Sequence, residues 1–188
     1  MPLNIPNTLT WARIALIPIF VGVFYLPDGV LSGTHKNLVS TAIFIVAAVT
    51  DWFDGYLARS LGQTSAFGAF LDPVADKALL VSVYVTLGAT GFLPSWLVIL
   101  VVFRDVLIVG GVLTLYVLGQ EPAIRPLFVS KANTAMQILL AAAVLLHAAY
   151  GVPAAGVVTV LLWITAGTTF ASGAAYVARW VRGGGASG

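Results

Sequence analysis

Cysteine is absent from the 188 residues, and charge is scarce: Lys, Arg, Asp and Glu together make up 9% of the chain. The first absence excludes disulfide-held scaffolds, thiolate metal centres and cysteine nucleophiles. The second excludes an ordinary water-facing exterior, because soluble domains carry about a quarter charged residues. No basic run occurs either. The pI of about 9.1 reflects a formal charge of only +2, too little and too scattered to track a phosphate backbone, so no nucleic-acid partner is expected. His35 and His147 are the only histidines, lie far apart in sequence and are read as structural.

What is present is apolar. Sixty per cent of the residues are hydrophobic and the mean hydropathy is +1.00, the composition of an integral membrane protein. Six apolar stretches, roughly 9–26, 37–61, 65–91, 94–118, 130–150 and 152–181, are read as transmembrane helices. Only helices or closed barrels satisfy the backbone in lipid, and runs such as Ile138 to Leu146 lack the alternation that barrel strands need. The expected fold class is all-α: one polytopic domain over 1–188 with six transmembrane helices and a flexible Gly-rich tail at about 183–188. The first stretch has no basic region before it and no small-residue cleavage site, so it is read as a retained helix. Placing the N-terminus in the cytoplasm puts Arg59, Arg125, Lys131, Arg179 and Arg182 on or near that side and leaves only Lys36 in an outer loop. Both termini are therefore expected to be cytoplasmic, in a bacterial plasma membrane, since the short N-terminus lacks an Arg- and Ser-rich transit segment.

Of the seven acidic residues, Asp51, Asp54, Asp72, Asp76 and Asp105 fall inside these spans. An aspartate near a helix centre costs about 2.5–3.5 kcal/mol on insertion scales, so the cluster needs compensation. Asp51 and Asp54 share one helix face with Gly55 and Ala58, and Gly68, Asp72 and Asp76 sit at i, i+4 and i+8 on the next helix. A short connection makes the two helices expected antiparallel neighbours, with all four carboxylates in the cytoplasmic half of the membrane. Such an oxygen-rich site suits two hard divalent ions, Mg²⁺ or Mn²⁺, which would neutralise four charges and still attract a pyrophosphate. Gly55, Ala58 and Gly68 leave room for a bulky ligand, and Arg59 offers a fork for phosphate oxygens. Lys77, next to Asp76, either turns away from the carboxylates or moderates their charge.

Asp51-Trp-Phe-Asp54-Gly55-Tyr-Leu-Ala58-Arg59, eight residues, then Gly68-Ala-Phe-Leu-Asp72-Pro-Val-Ala-Asp76 resembles the signature of the CDP-alcohol phosphotransferases, D-x2-D-G-x2-A-R-x8-G-x3-D-x3-D, at all eight fixed positions. The resemblance implies a six-helix membrane enzyme, usually a homodimer, that moves a phosphatidyl or similar group from a CDP-linked donor to an alcohol and releases CMP. It implies metal binding by Asp51, Asp54 and Asp72, with Asp76 the general base beside them. It also implies a cytidine diphosphate pocket lined by Gly55, Ala58, Arg59 and Gly68. The opening Asn4 to Thr10 with Arg13 looks like the anionic-phospholipid branch, where Asn7 and Thr10 contact the nucleotide.

Phe103-Arg104-Asp105 to Ile108, Phe128 to Ala135 and Leu161 to Tyr176 resemble the CDP-diacylglycerol-dependent cardiolipin synthases. The first expectation is therefore transfer from CDP-diacylglycerol to phosphatidylglycerol. The alternative is phosphatidylglycerophosphate synthesis with glycerol 3-phosphate as acceptor. Both acceptors present a phosphate and a primary hydroxyl, and Arg104 and Lys131, helped by Arg125, are expected to hold that phosphate. Arg104 and Asp105 point about 100° apart on a helix and need not pair. A divalent-cation transporter is the remote alternative. It has no need of the aspartate spacing joined to Ala58-Arg59 and Gly68.

Asp76→Asn is expected to lower turnover about 10²–10⁴-fold, the usual contribution of a general base, while donor binding is kept. Unchanged turnover in a steady-state CMP-release assay would remove Asp76 from that role.

Overall fold

The computed structural model describes residues 5–61, 66–117 and 128–183, with side chains described for 14–50, 77–111 and 128–179. Six α-helices account for it: α1 (Ile5–Phe24), α2 (Gly33–Leu61), α3 (Ala66–Ala89), α4 (Ser95–Val117), α5 (Phe128–Tyr150) and α6 (Ala155–Gly183). No strand occurs among the described residues. α1 and α2 start four residues before the expected 9 and 37 because each opens with a polar turn, Asn7-Thr8 and Thr34-His35-Lys36, that hydropathy excludes but helical hydrogen bonding includes. Phe128–Tyr150 and Ala155–Arg179 are each long and apolar enough to cross a bilayer.

The helices stand in two rows of three. α2, α5 and α6 form one row and α1, α3 and α4 the other, with α1 against α2, α3 against α5 and α4 against α6. The expected direct pairing of the second and third helices is thus corrected. Among the described residues α2 and α3 share no extended interface, and α1 and α5 fill the corners between them. A short connection dictates only where two helix ends meet, whereas side-chain packing decides which helices lie flush.

Cross-helix bonds set the register. Asn37 Nδ2 donates to Ala148 O at 3.1 Å, Thr165 Oγ1 to Met136 O at 3.3 Å, and Tyr84 OH to Gln137 O at 3.0 Å. α2 and α6 therefore run antiparallel to α5. Two turns at one end rest on glycine. Gly91 at φ +80° closes α3 with Phe92 N donating to Leu87 O and Gly91 N to Gly88 O, and Gly151 at φ +73° ends α5 with its N–H on His147 O. Only glycine adopts such left-handed positions without penalty.

The interior changes character along the bundle. Near these turns it is dry: Phe20, Phe24, Leu87, Leu93, Leu97 and Leu145 are buried together, and the Phe24 ring meets Phe92 edge-on at 6.3 Å. Towards the other end polar side chains take over. The outer surface is apolar, with Ile99, Phe103 and Val106 of α4 and Val160, Trp163 and Phe170 of α6 all exposed. That inversion is what lipid requires and water penalises. Ser82, Thr86 and Thr90 return their hydroxyl protons to carbonyls one turn back, leaving no unpaired donor on α3 at these positions.

α3 packs tightly on α4 at Gly88, where an added Cβ would stand 2.7 Å from Val98 Cγ2. Gly88→Ala is expected to cost about 1–3 kcal/mol of stability, the usual range for overpacking, read as a lower unfolding midpoint in detergent. Adding Val98→Ala should recover most of the loss; an unchanged midpoint in Gly88→Ala would mean that the two helices separate freely.

Candidate active site

The ionisable residues sort to one end of the bundle. At the dry end stand Asp28 and Lys36, paired at 2.6 Å, with His35 beside them. The Lys36 ammonium donates to Asp28 and holds that exposed carboxyl below the usual range. Among the residues with described side chains, Lys77, Arg104, Asp105, Lys131 and Arg179 belong to the rest of the bundle, away from that end.

Asp51, Asp54, Gly55, Ala58 and Arg59 occupy the last turns of α2, and Gly68, Asp72 and Asp76 the first turns of α3. Their side chains lie outside the described residues, as do those of Asn7 and Thr10 in the opening turns of α1 and all of Arg125. The backbone still sets their levels. At 1.5 Å per residue, position 51 is about 15 Å from the end of α2 at Leu61, and positions 72 and 76 are about 9 and 15 Å from the start of α3 at Ala66. Both pairs therefore lie within about 15 Å of the connection between α2 and α3, on two helices of the first four-helix cell, made of α1, α2, α5 and α3. From the Asn37–Ala148 bond, antiparallel counting puts position 51 beside Thr134 on α5. The donor set is all carboxylate oxygen, the chemistry that hard divalent ions require.

The adjoining cell, of α3, α4, α5 and α6, holds a polar network in which all four helices take part. Lys77 Nζ on α3 donates to both oxygens of Asp105 on α4, at 3.1 and 3.2 Å, and to Thr134 Oγ1 on α5 at 3.4 Å. Arg104 Nη1 donates to the same carboxylate, Nη2 to Ser130 Oγ and Ser172 Oγ at 2.6 Å each, and Nε to Ser172 Oγ at 3.1 Å. Arg104 and Asp105 do pair, because the long arginine side chain covers the 100° between adjacent positions. Both are about 2% exposed. The arginine stem runs beside Gly173, where an added Cβ would stand 3.7 Å from Arg104 Cγ, an ordinary contact. In a low-dielectric interior, removing one partner of such a pair costs about 3–5 kcal/mol.

The expected phosphate-holding residues therefore separate. Arg104 is buried with four N–H bonds to protein oxygens, whereas Lys131 stands exposed in the first turn of α5. Sequence reading missed Ser130, Ser172 and Thr134 as partners of these charges. Ser130, Asn133, Thr134 and Gln137 recur at i, i+3, i+4 and i+7, a polar stripe on an otherwise apolar helix, and that spacing was the available signal. Asn133 Oδ1 accepts from Thr168 and Thr169 at 3.0 and 2.8 Å, tying α5 to α6. Asn133 Nδ2 and both amide atoms of Gln137 are buried without a protein partner among the described residues.

Residues 3–171 match the family described as CDP-alcohol phosphatidyltransferase. A protein of Bacillus subtilis is 38% identical over 151 residues, 77% of each chain; one of Escherichia coli K12 is 41% identical over 143 residues, 74% of this chain and 75% of the relative. One of Wigglesworthia glossinidia brevipalpis is 40% identical over 142 residues, again 74% and 75%. All three are named CDP-diacylglycerol--glycerol-3-phosphate 3-phosphatidyltransferase. These relatives overturn the cardiolipin expectation and its phosphatidylglycerol acceptor. The physical reason lies in the residues that carried it: Arg104, Asp105, Ser130, Asn133 and Thr134 bond to one another or to neighbouring helices, so they report the bundle's internal bracing and not the acceptor.

Asn133→Ala removes two accepted bonds and is expected to destabilise by about 1 kcal/mol, at the roughly 0.6 kcal/mol per bond measured between membrane helices. Gln137→Met, which removes an unpaired amide at similar volume, should be neutral or stabilising. The reverse order in a detergent unfolding series would show that Gln137, and not Asn133, ties the helices.

Proposed function

We propose that this chain, which belongs to the CDP-alcohol phosphatidyltransferase family, transfers the phosphatidyl group of CDP-diacylglycerol to a hydroxyl of glycerol 3-phosphate and releases CMP. That it is an enzyme of this family's type follows from the family itself. The acceptor rests on one observation, the shared name of relatives at 38–41% identity.

In the proposed reaction Arg59 pairs with phosphate oxygens of the donor, while the small Gly55, Ala58 and Gly68 leave space for the cytidine diphosphate, with Asn7 and Thr10 at the start of α1 on its nucleotide. Asp51, Asp54, Asp72 and Asp76 would hold two divalent ions, Mg²⁺ or Mn²⁺, which when bound supply positive charge to offset that growing on the leaving CMP. Asp76 takes the proton of the acceptor hydroxyl. The freed oxygen bonds to the phosphorus attached to diacylglycerol, and the bond from that phosphorus to CMP breaks. Lys131, exposed on α5, and Arg125 hold the acceptor's phosphate. An exposed lysine suits a soluble dianion arriving from water. The same reading has all six helices crossing the membrane, both termini cytoplasmic and the aspartate end facing the cytoplasm, supported by the basic residues gathered there.

Purified protein given labelled CDP-diacylglycerol, Mn²⁺ and either acceptor should form phosphatidylglycerophosphate and CMP from glycerol 3-phosphate, and lose both on chelation. Cardiolipin from phosphatidylglycerol in place of that product would overturn the acceptor, and metal-independent CMP release would overturn the metal site. Lys131→Gln is expected to raise the KM for glycerol 3-phosphate about tenfold, the worth of one charge-assisted hydrogen bond, with kcat little changed; an unaltered KM would remove Lys131 from the acceptor site.

A further inference from the structure

We infer that Lys77, Asp105 and Arg104 form a brace that sets the rotation of α3 and so positions Asp72 and Asp76, without touching substrate. This rests on the reading that those aspartates belong to a metal site.

Three observations carry it. First, the donors of Arg104 are used inside the protein. Four N–H bonds go to Asp105, Ser130 and Ser172, and the residue is 2% exposed, so a substrate phosphate would have to displace protein partners to reach it. Second, Lys77 joins three helices at one point. Its ammonium bonds both oxygens of Asp105 on α4 and the Thr134 hydroxyl on α5, and Asp105 is in turn held by Arg104. Third, Lys77 is the described side chain of α3 nearest to the aspartates, and the buried Leu80, Val83, Tyr84 and Leu87 beyond it anchor the same helix in the core.

Positions 76 and 77 are consecutive on one rigid helix. A helix that cannot turn at Lys77 cannot turn at 76, or at 72 one turn earlier. The three residues are positioning residues, and Arg104 is thereby assigned to the scaffold in preference to the acceptor phosphate.

The test uses full-length protein in detergent, with Mn²⁺ binding read by electron paramagnetic resonance and turnover read as separate kcat and KM. Lys77→Gln and Asp105→Asn should each weaken Mn²⁺ binding and lower kcat by about 10–100-fold, the range for residues that orient metal ligands. The KM for glycerol 3-phosphate should stay within about threefold. The double variant should be no worse than the poorer single one, since both substitutions break the same Lys77–Asp105 link. Lys77→Arg, which can still reach Asp105, should recover most of both readouts. Lys36→Gln, at the far end, should change neither.

Unaltered Mn²⁺ affinity in both single variants would overturn the brace. So would an Arg104→Lys enzyme whose acceptor KM rises tenfold or more with kcat kept, since that returns Arg104 to the substrate. If Lys77→Gln does not fold, Thr134→Val removes one of the lysine's partners at equal volume and should still weaken Mn²⁺ binding; no change there would overturn the proposal. Failure of the wild type to use glycerol 3-phosphate would count against the acceptor alone, with the Mn²⁺ titration still deciding the brace.

Discussion

A charge inside a membrane protein has to be paired, and in this bundle that requirement organises everything else. Arg104 and Asp105 are buried mid-helix, Lys77 is half-buried beside them, and each finds partners on other helices. Satisfying them takes α3, α4, α5 and α6 together, so the polar network determines how four helices face one another. Packing alone would not do this. Lipid chains are as apolar as leucine and give little reason for one helix pairing over another, whereas a buried ion pair tolerates only one arrangement.

The two-row arrangement follows from dividing the interior into unlike halves. At the Asp28–Lys36 end, aromatic and aliphatic side chains fill the space and the turns close on Gly91 and Gly151. Towards the other end the motif positions occupy the adjoining turns of α2 and α3, and the bracing network joins α3, α4, α5 and α6. The apolar half gives a fixed base, and the motif positions and the buried ion pairs belong to the other. A through-path for ions, the demand of the transporter alternative, meets Phe20, Phe24, Leu93 and Leu97.

Membership of the CDP-alcohol phosphatidyltransferase family joins the eight motif positions to a class of activity, and the names of the relatives speak against the cardiolipin expectation. The cardiolipin expectation leaned on polar residues of α4 and α5 that proved to face one another. Residues that bond to one another across the bundle report its bracing and carry no information about the acceptor.

The number of helices, their apolar register and the aspartate motif were legible in the sequence, because each depends on residues within a few turns of one another: hydropathy over about 20 positions, and carboxylates at i, i+3 and i+4. Asp51, Asp54, Asp72 and Asp76 could be placed on helix faces without any neighbour being known. What only the tertiary structure decided is which helices touch. That α2 and α3 stand diagonally, that Arg104 reaches Ser172 sixty-eight residues away, and that Lys77 turns to Asp105 are matters of long-range pairing. In an apolar sequence where most helix faces look alike, only the few buried polar groups distinguish one pairing from another, and their partners are known only once the helices are side by side.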